Sequence, residues 1–258
     1  MGRNSERGSN GKRGPAVASP ETEREVSAAT RKIQMLRSLQ CGNKFEKAAR
    51  AQGAVVIAGV DEVGRGALFG PVVAAAVILP PDTRIRGLRD SKQLLPEDRE
   101  RLAAIIQARA MAIAIDEVDA ATIDRVNIYQ ASRMAMTAAV LRLQPQPDHL
   151  LIDAMRLDLP HAQTSIVYGD SLSISIAAAS VIAKVYRDKL LCELDREYPN
   201  YGLASHKGYA TPEHRQALRK LGPTLLHRKS FTPVAQAELP WEQFTLEEDS
   251  ACPIDSSV

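Results

Sequence analysis

The alternation of apolar runs with turn residues predicts five β-strands, at residues 55–60, 72–79, 111–115, 149–153 and 165–168. Each run is short and is bounded by glycine, proline or polar residues, which is typical of a strand buried in a sheet. The first three runs indicate an antiparallel meander that opens the domain, and the last two lie among the helices that follow.

Helical spacing and end signals predict helices around this sheet. Residues 96–109 begin with a proline in the first turn, and residues 176–198 carry an apolar stripe at four-residue spacing. Residues 119–143 contain one or two helices, residues 211–222 contain another with a cap at each end, and a further helix lies within 21–41. We therefore expect an α/β or α+β fold in which helices pack on a sheet.

Charge is distributed unevenly although the formal net charge is only +2. Residues 1–50 carry 11 Lys and Arg against 5 Asp and Glu, whereas residues 233–258 carry 6 acids and no Lys or Arg. We divide the chain into a basic N-terminal extension (1–50), partly disordered and partly helical, a folded domain (51–233) and an acidic tail (234–258). The basic extension suits contact with a polyanion, and a solvated tail without a partner accounts for it equally well.

Composition argues against several classes of protein. The three cysteines are scattered without a C-x-x-C pair, which disfavours structural zinc and is typical of a reducing compartment. No apolar stretch approaches the roughly 18 residues of a membrane span, and no apolar signal region is visible near the N-terminus. We expect a cytoplasmic, monomeric protein that does not associate with membranes.

Four acidic residues stand where predicted strands end. Asp61 and Glu62 directly follow the first strand, Asp153 ends the fourth, and Asp170 follows the fifth. The ends of strands in one sheet can bring such carboxylates together, and oxygen ligands without cysteine or histidine select hard cations such as Mg²⁺ or Mn²⁺. Taken singly, each acid is more often a turn residue or a helix cap. The joint pattern is what predicts a metal site suited to phosphoryl transfer.

A glycine-flanked arginine follows the first acidic pair. Gly64 and Gly66 allow the backbone to approach a partner closely, and Arg65 between them offers a forked cation that suits a phosphate group. Asp116 and Glu117 also follow an apolar run, but they lack these neighbours and we expect them to be solvated. The first acidic pair therefore predicts a metal site and a nucleic-acid contact in the same place.

From Gly59 to Gly66 the chain resembles the opening signature of the type 2 ribonucleases H, and of bacterial ribonuclease HII in particular. The resemblance covers roughly residues 54–233. It continues in the family's order through Asp90-Ser91-Lys92, Leu151-Ile152-Asp153, Gly169-Asp170-Ser171, residues 178–188, residues 201–209 and residues 227–231.

The resemblance implies an RNase H-like fold, with a five-stranded mixed sheet flanked by helices and a helical C-terminal portion. It implies metal-dependent endonucleolytic cleavage of the RNA strand of RNA–DNA hybrids, and cleavage at ribonucleotides embedded in duplex DNA. The products would be 5′-phosphate and 3′-hydroxyl ends. These implications go beyond what the spacing of the acids alone predicts.

The same resemblance assigns roles to individual residues. It implies that Mn²⁺ or Mg²⁺ is held by four acids, Asp61, Glu62, Asp153 and Asp170. It implies that the ribose 2′-hydroxyl is recognised by Tyr209 and by the turn Gly64-Arg65-Gly66, and that Ser91 and Lys92 contact the substrate. Gln93 stands where the family often has a second lysine, which weakens the prediction of phosphate binding by this loop.

Two further hypotheses fit these residues. A different two-metal nuclease or resolvase on a similar fold would need the acids but not Tyr209, and it would cleave a duplex of DNA alone. A non-catalytic nucleic-acid-binding module would use the acids as structural caps and would bind without metal or turnover. The basic run 227–229 fits a solvated face or a contact with the DNA backbone.

Overall fold

The computed structural model describes residues 39–237. One sheet of five strands has the spatial order β3-β2-β1-β4-β5. The strands are β1 (Ile57–Val63), β2 (Val72–Ile78), β3 (Ala112–Val118), β4 (His149–Asp153) and β5 (Ala162–Ile166). The first three pair antiparallel, whereas β4 is parallel to both β1 and β5. The predicted mixed sheet and its opening meander are confirmed.

Helices cover both faces of the sheet. In chain order they are α1 (Lys44–Ala51), α2 (Pro96–Arg109), α3 (Ala120–Val126), α4 (Ile128–Leu141), α5 (Gly169–Leu172), α6 (Ile174–Glu197), α7 (Leu203–His206), α8 (Pro212–Leu221) and α9 (Thr232–Ala237). Within the described residues, no helix is both long and apolar enough to cross a membrane.

Strand β2 separates two apolar cores. Val72, Ala74 and Ala76 lie in a core with α4 residues such as Met136, and the alternate residues of β2 lie in a second core with α2 and α6. All seven residues of β2 are buried because helices cover both faces, which explains its unbroken apolar sequence.

Small residues allow α6 to lie very close to the sheet. Ala177, Ala178 and Ala179 are fully buried, and a side chain at Gly59 of β1 would collide with the backbone of Ser175. This close packing brings the start of α6, and the short helix α5 before it, beside the carboxyl ends of the central strands.

The ends of most helices agree with the sequence because they depend on local signals. Helices α2 and α8 begin at their prolines as predicted, and the hydroxyl of Thr211 accepts a hydrogen bond from the His214 amide at 3.3 Å. Asn127 divides the stretch 119–143 into two helices, since its φ is 70° and its side chain caps α4.

Three strands differ from their predicted ranges. Strand β1 runs on to Val63, so Asp61 and Glu62 lie in the last part of the strand, where it pairs with β2, rather than after the strand. Strand β5 lies at the edge of the sheet and buries only Ile166, so no apolar run marks it, and the chain turns at Tyr168 with φ 59°. Strand β3 runs on to Val118 and includes Asp116. The expectation of a solvated Asp116 is wrong, because its side chain is 12% exposed and pairs with Arg142 at 2.8 Å.

Helices α1 and α9 reach past the limits of the predicted range 51–233. Glu46 of α1 is buried, and its Oε1 accepts hydrogen bonds from the Ser173 hydroxyl at 2.6 Å and the Ser175 amide at 3.0 Å. At the other end α9 continues to Ala237 and buries Val234 completely. The predicted helix within 21–41 and most of both extensions lie outside the described residues.

Candidate active site

The predicted carboxylates gather at one edge of the sheet. Strands β1, β4 and β5 are parallel neighbours, so their carboxyl ends meet at the same edge. Val60 is paired with Ile152, which places Asp61 and Asp153 at the same level of adjacent strands. Asp170 reaches this edge from α5, directly after the β5 turn, rather than from a strand end.

These four acids share one electrostatic environment. Asp61 and Asp170 are only 3% and 6% exposed. Burial, together with the charges of the other three acids, raises the pKa of Asp61 well above its usual range. Burial also raises the pKa of Glu62 and of Asp153, and it raises that of Asp170 to about 6 with help from Asp90 and Asp153. The cluster therefore favours any positive charge that enters it.

Three of the four acids are each partly neutralised by a different protein group. Glu62 pairs with Arg65 at 3.2 Å, Asp153 accepts a hydrogen bond from the Gly169 amide at 2.8 Å, and Asp170 lies 3.6 Å from the Lys92 ammonium. Consistent with these separate partners, no three His, Cys, Asp or Glu side chains among residues 39–237 are grouped closely enough to hold a metal ion as they stand.

The donor set nevertheless fits a hard divalent cation. All the candidate ligands are carboxylate oxygens, which Mg²⁺ and Mn²⁺ prefer. Glu62 Oε2 is buried without a hydrogen-bond partner. A buried carboxylate oxygen without a partner is costly, and a cation is one group that would satisfy it.

The loop Asp90-Ser91-Lys92 adds the predicted cation, Lys92, and one acid, Asp90, that the sequence did not single out as a site residue. The surrounding carboxylates raise the pKa of Lys92 even though burial opposes this, and Asp90 is one of the groups that raise the pKa of Asp170. Ser91 is 2% exposed and its hydroxyl lies 2.9 Å from that of Ser180. The side chain of Ser91 is therefore turned inward, which does not support a direct substrate contact.

A buried arginine holds the Gly-Arg-Gly turn from behind. Arg228 is 0% exposed, and its Nη1 donates to the carbonyl oxygens of Gly64 at 2.7 Å and Arg65 at 3.0 Å. In a planar trans peptide the N–H points opposite to the C=O. The amides of Arg65 and Gly66 therefore face away from Arg228. The expectation of a solvated face for residues 227–229 is wrong for Arg228 and for His227, which is 1% exposed.

A second buried arginine makes the neighbouring glycine necessary. Arg187 of α6 donates to the carbonyl oxygens of Pro71, Lys207 and Phe69 at 3.1, 2.9 and 3.0 Å. A side chain at Gly64, whose φ is 92°, would collide with the Arg187 side chain. Gly66 is different, since no atom lies within 4 Å of an added Cβ. Gly64 is thus required by the fold, and Gly66 leaves open space on the outer side of the turn.

Tyr209 lies directly beside this turn. Ala67 forms an isolated antiparallel bridge with Tyr209, and the Leu68 amide donates to the Gly208 carbonyl at 2.8 Å. The half-buried ring of Tyr209 has the Lys184 ammonium and the Arg187 guanidinium each 5.7 Å from its centroid. The two elements predicted to recognise the ribose are therefore joined by backbone contacts.

A cleft of about 690 Å³ begins at Tyr209 and runs between α2, α6 and α7. Lys184 and Asp188 line it as an ion pair with a separation of 2.7 Å, and Arg99 approaches Asp188 at 3.7 Å. Lys207 also lines the cleft. The cleft thus has more basic than acidic side chains in its lining, beside the aromatic ring of Tyr209.

Comparison with known proteins gives a consistent result. The family model described as ribonuclease HII matches residues 58–234. The chain is 58% identical over 232 residues to a ribonuclease HII of Koribacter versatilis, covering 88% of this chain and 91% of that protein. It is 56% identical over 205 residues to one of Solibacter usitatus, covering 77% and 90% respectively.

Solved structures resemble the fold. The crystal structure of ribonuclease H2 from Pyrococcus horikoshii superimposes with a TM-score of 0.62 at 24% identity, over 71% of this chain and 97% of that one. A Bst ribonuclease HIII crystallised in complex with Mn²⁺ gives a TM-score of 0.57 at 24% identity, over 74% and 71% of the two chains. The predicted RNase H-like fold is confirmed.

Proposed function

Because the chain belongs to the ribonuclease HII family and is an endoribonuclease with ribonuclease H activity on RNA–DNA hybrids, we propose that it works by a two-metal mechanism. We propose further that it cleaves at single ribonucleotides embedded in duplex DNA and leaves 5′-phosphate and 3′-hydroxyl ends. One observation carries the proposal. A carboxylate cluster lies beside a turn with outward-facing amides, and a backbone bridge joins that turn to Tyr209.

In this proposal Asp61, Glu62, Asp153 and Asp170 hold Mg²⁺ or Mn²⁺. When bound, two such ions activate the attacking water and stabilise the leaving oxygen of an in-line displacement. Support comes from the chemistry of the acids, since the Oε2 atom of Glu62 is buried without a partner and the pKa values of all four acids are raised. Lys92 and Arg65 would contact phosphate oxygens of the substrate.

Recognition of the sugar follows from the turn and the tyrosine. The 2′-hydroxyl is what distinguishes RNA from DNA at a given site. The amides of Arg65 and Gly66 face outward, and the open space at Gly66 permits a ribose to approach them. Tyr209 would stack on the sugar next to the scissile bond, and the basic cleft beyond it would hold the phosphate backbone of the duplex. The monomeric, cytoplasmic state expected from the sequence belongs to the same proposal.

The test compares three duplexes, one with a single embedded ribonucleotide, one a long RNA–DNA hybrid and one of DNA alone. Each is incubated with Mg²⁺, with Mn²⁺ and with EDTA. We expect cleavage of the first two with either metal, none of the third, and none in EDTA. Cleavage of the all-DNA duplex would favour the alternative of a general two-metal nuclease.

Tyr209→Ala tests sugar recognition in the same assay. We expect the rate at the single ribonucleotide to fall by about tenfold or more relative to the long hybrid, because stacking on a nucleotide contributes about 1–3 kcal/mol. Tyr129→Ala is the matched control, since Tyr129 is 47% exposed on α4, which packs against the sheet away from the cleft. An unchanged ratio with a lowered melting temperature would make Tyr209 a loop anchor only.

A further inference from the structure

Two buried histidines form a connected pair beneath the loop that carries Tyr209. His214 is 0% exposed and His227 is 1% exposed. Their Nε2 atoms are 3.2 Å apart. The His206 ring stacks on His214 with centroids 4.4 Å apart and an interplanar angle of 13°. None of these side chains belongs to the carboxylate cluster, and the proposed reaction does not use them directly.

The position of each proton follows from the outer partners. His227 Nδ1 lies 2.9 Å from the Thr224 amide, and since an amide N–H only donates, this nitrogen must be the acceptor. His214 Nδ1 lies 3.0 Å from the Tyr209 carbonyl oxygen, and since a carbonyl only accepts, this nitrogen must carry the proton. In neutral imidazoles the remaining proton is then on His227 Nε2, which donates to His214 Nε2.

Both rings must be neutral for this arrangement. Burial lowers the pKa of His214 to about 4 and that of His227, with the help of His214, to about 3. The hydrogen bonds therefore run in one direction at neutral pH, from the Thr224 amide through His227 and His214 to the carbonyl of Tyr209. We call this series the histidine chain.

The histidine chain ends on the backbone that orients the Tyr209 ring. The Tyr209 carbonyl also accepts from the Thr211 amide at 2.8 Å, and the Tyr209 amide donates to the His206 carbonyl at 3.0 Å. The peptide groups on both sides of Tyr209 are thus held, and the bridge to Ala67 fixes their distance from the Gly-Arg-Gly turn. These backbone contacts fix the point from which the Tyr209 side chain projects, and so they limit where its ring can meet a ribose.

We propose that His214 and His227 are positioning residues for recognition of the ribonucleotide and act through the backbone of Tyr209. This inference rests on the proposed role of Tyr209 in sugar recognition. Its expected effect is modest, because one hydrogen bond contributes about 0.5–1.5 kcal/mol, which is a factor of about two to thirteen in rate.

The test uses His214→Phe, which keeps a ring to stack on His206 but has no donor for the Tyr209 carbonyl. We expect the single-ribonucleotide rate to fall by about five- to tenfold relative to the long hybrid, with the loss in kcat and with KM nearly unchanged. His214→Asn, whose amide nitrogen can take the place of Nδ1, should recover most of the loss. His149→Phe is the matched control, since His149 is also buried but bonds to Thr164 at the far end of β4.

A double variant separates positioning from general stability. If His214 acts through Tyr209, His214→Phe combined with Tyr209→Ala should be no slower at the single ribonucleotide than Tyr209→Ala alone. Additive losses, or equal losses from His214→Phe and His149→Phe, would overturn the positioning role. If His214→Phe does not fold, His227→Phe makes the same test one hydrogen bond further from Tyr209 in the histidine chain. The expected loss of single-ribonucleotide rate is then smaller.

The outcomes distinguish this inference from the proposed function. If Tyr209→Ala lowers the substrate ratio and the His214 variants do not, only the positioning role fails. If Tyr209→Ala leaves the ratio unchanged, the sugar-recognition role fails and the positioning role with it. Nitrogen NMR of ¹⁵N-histidine-labelled protein gives a readout independent of activity. We expect His214 to be protonated at Nδ1 and His227 at Nε2. The opposite tautomers would contradict the direction of the hydrogen bonds in the histidine chain.

Discussion

Replacing Asp170 by asparagine should stabilise the protein against unfolding while it removes one of the four acids. The Asp170 side chain is 8% exposed, and its pKa is raised from 3.8 to about 6 by burial and by the charges of Asp90 and Asp153. Its ionisation at neutral pH therefore opposes folding. Asparagine has nearly the same shape and carries no charge.

The size of the effect follows from the pKa shift. A pKa raised by about two units corresponds to an upper limit of about 3 kcal/mol, at 1.36 kcal/mol per unit. This shift already includes the attraction of Lys92, whose side chain is 70% exposed, so the loss of that pair is not subtracted a second time. Solvent screening of the charges reduces the upper limit. We expect a net gain of about 1–2 kcal/mol, which raises the melting temperature by about 2–4 °C per kcal/mol for a domain of this size.

The stability gained by Asp170→Asn should depend on pH. The folded-state pKa of Asp170 lies above the unfolded value, so the opposition to folding is complete above pH 6 and shrinks as the pH falls toward 4. The free energy of unfolding of the variant should therefore exceed that of the parent protein most at pH 7–8, and the two values should converge near pH 4. Addition of Mg²⁺ at pH 8 should also narrow the difference, because a cation relieves the repulsion in the parent.

Urea denaturation in EDTA at pH 8, 6 and 4.5 measures this directly. Asp116→Asn is the matched control, since Asp116 of β3 is also an acid with little exposure, but its partner Arg142 lies 2.8 Å away. That control should lose stability or stay unchanged. The reasoning is refuted if Asp170→Asn is no more stable than the parent at pH 8, or if any gain persists unchanged at pH 4.5.

Three further predictions concern cleavage and binding. Asp61→Asn should abolish cleavage with either Mg²⁺ or Mn²⁺ while the circular dichroism spectrum is kept, and turnover by the folded variant would remove Asp61 from the metal site. Gly66→Ala should leave the melting temperature unchanged, because the added Cβ has no neighbour within 4 Å. Its cleavage of the single ribonucleotide should nevertheless fall by about tenfold, as expected from the loss of a hydrogen bond to the substrate, and an unchanged rate would show that the turn does not approach the sugar. A chain of residues 39–237 should bind duplexes with a shallower dependence on salt than the full chain, whereas equal slopes would show that the extensions do not touch nucleic acid.

The amino-acid sequence by itself determined the parts of this protein that depend on neighbours along the chain. Apolar runs marked the central strands, and prolines and caps marked the ends of α2 and α8, because these signals act within a few residues. Asp61 and Asp153 were predicted as candidate site residues for the same reason, since a charge near the end of a buried strand is costly without a partner, and the pairing of β1 with β4 places them at the same level.

Only the tertiary structure decided features that join distant residues. Arg228 stands in a basic run that suggests solvent, yet it is buried because the carbonyl oxygens of Gly64 and Arg65, more than 160 residues earlier, accept its hydrogen bonds. Strand β5 and helix α1 lack a strong apolar pattern of their own, and they are held by the sheet edge and by the start of α6.

The histidine chain shows the same distinction at the level of single atoms. Nothing in the spacing of His214 and His227 indicates which nitrogen carries a proton, because that depends on the Thr224 amide and the Tyr209 carbonyl that the fold places at their outer ends. Local sequence specifies which side chains are available. Burial and the partners supplied by folding decide their charge, their orientation and the residues on which they act.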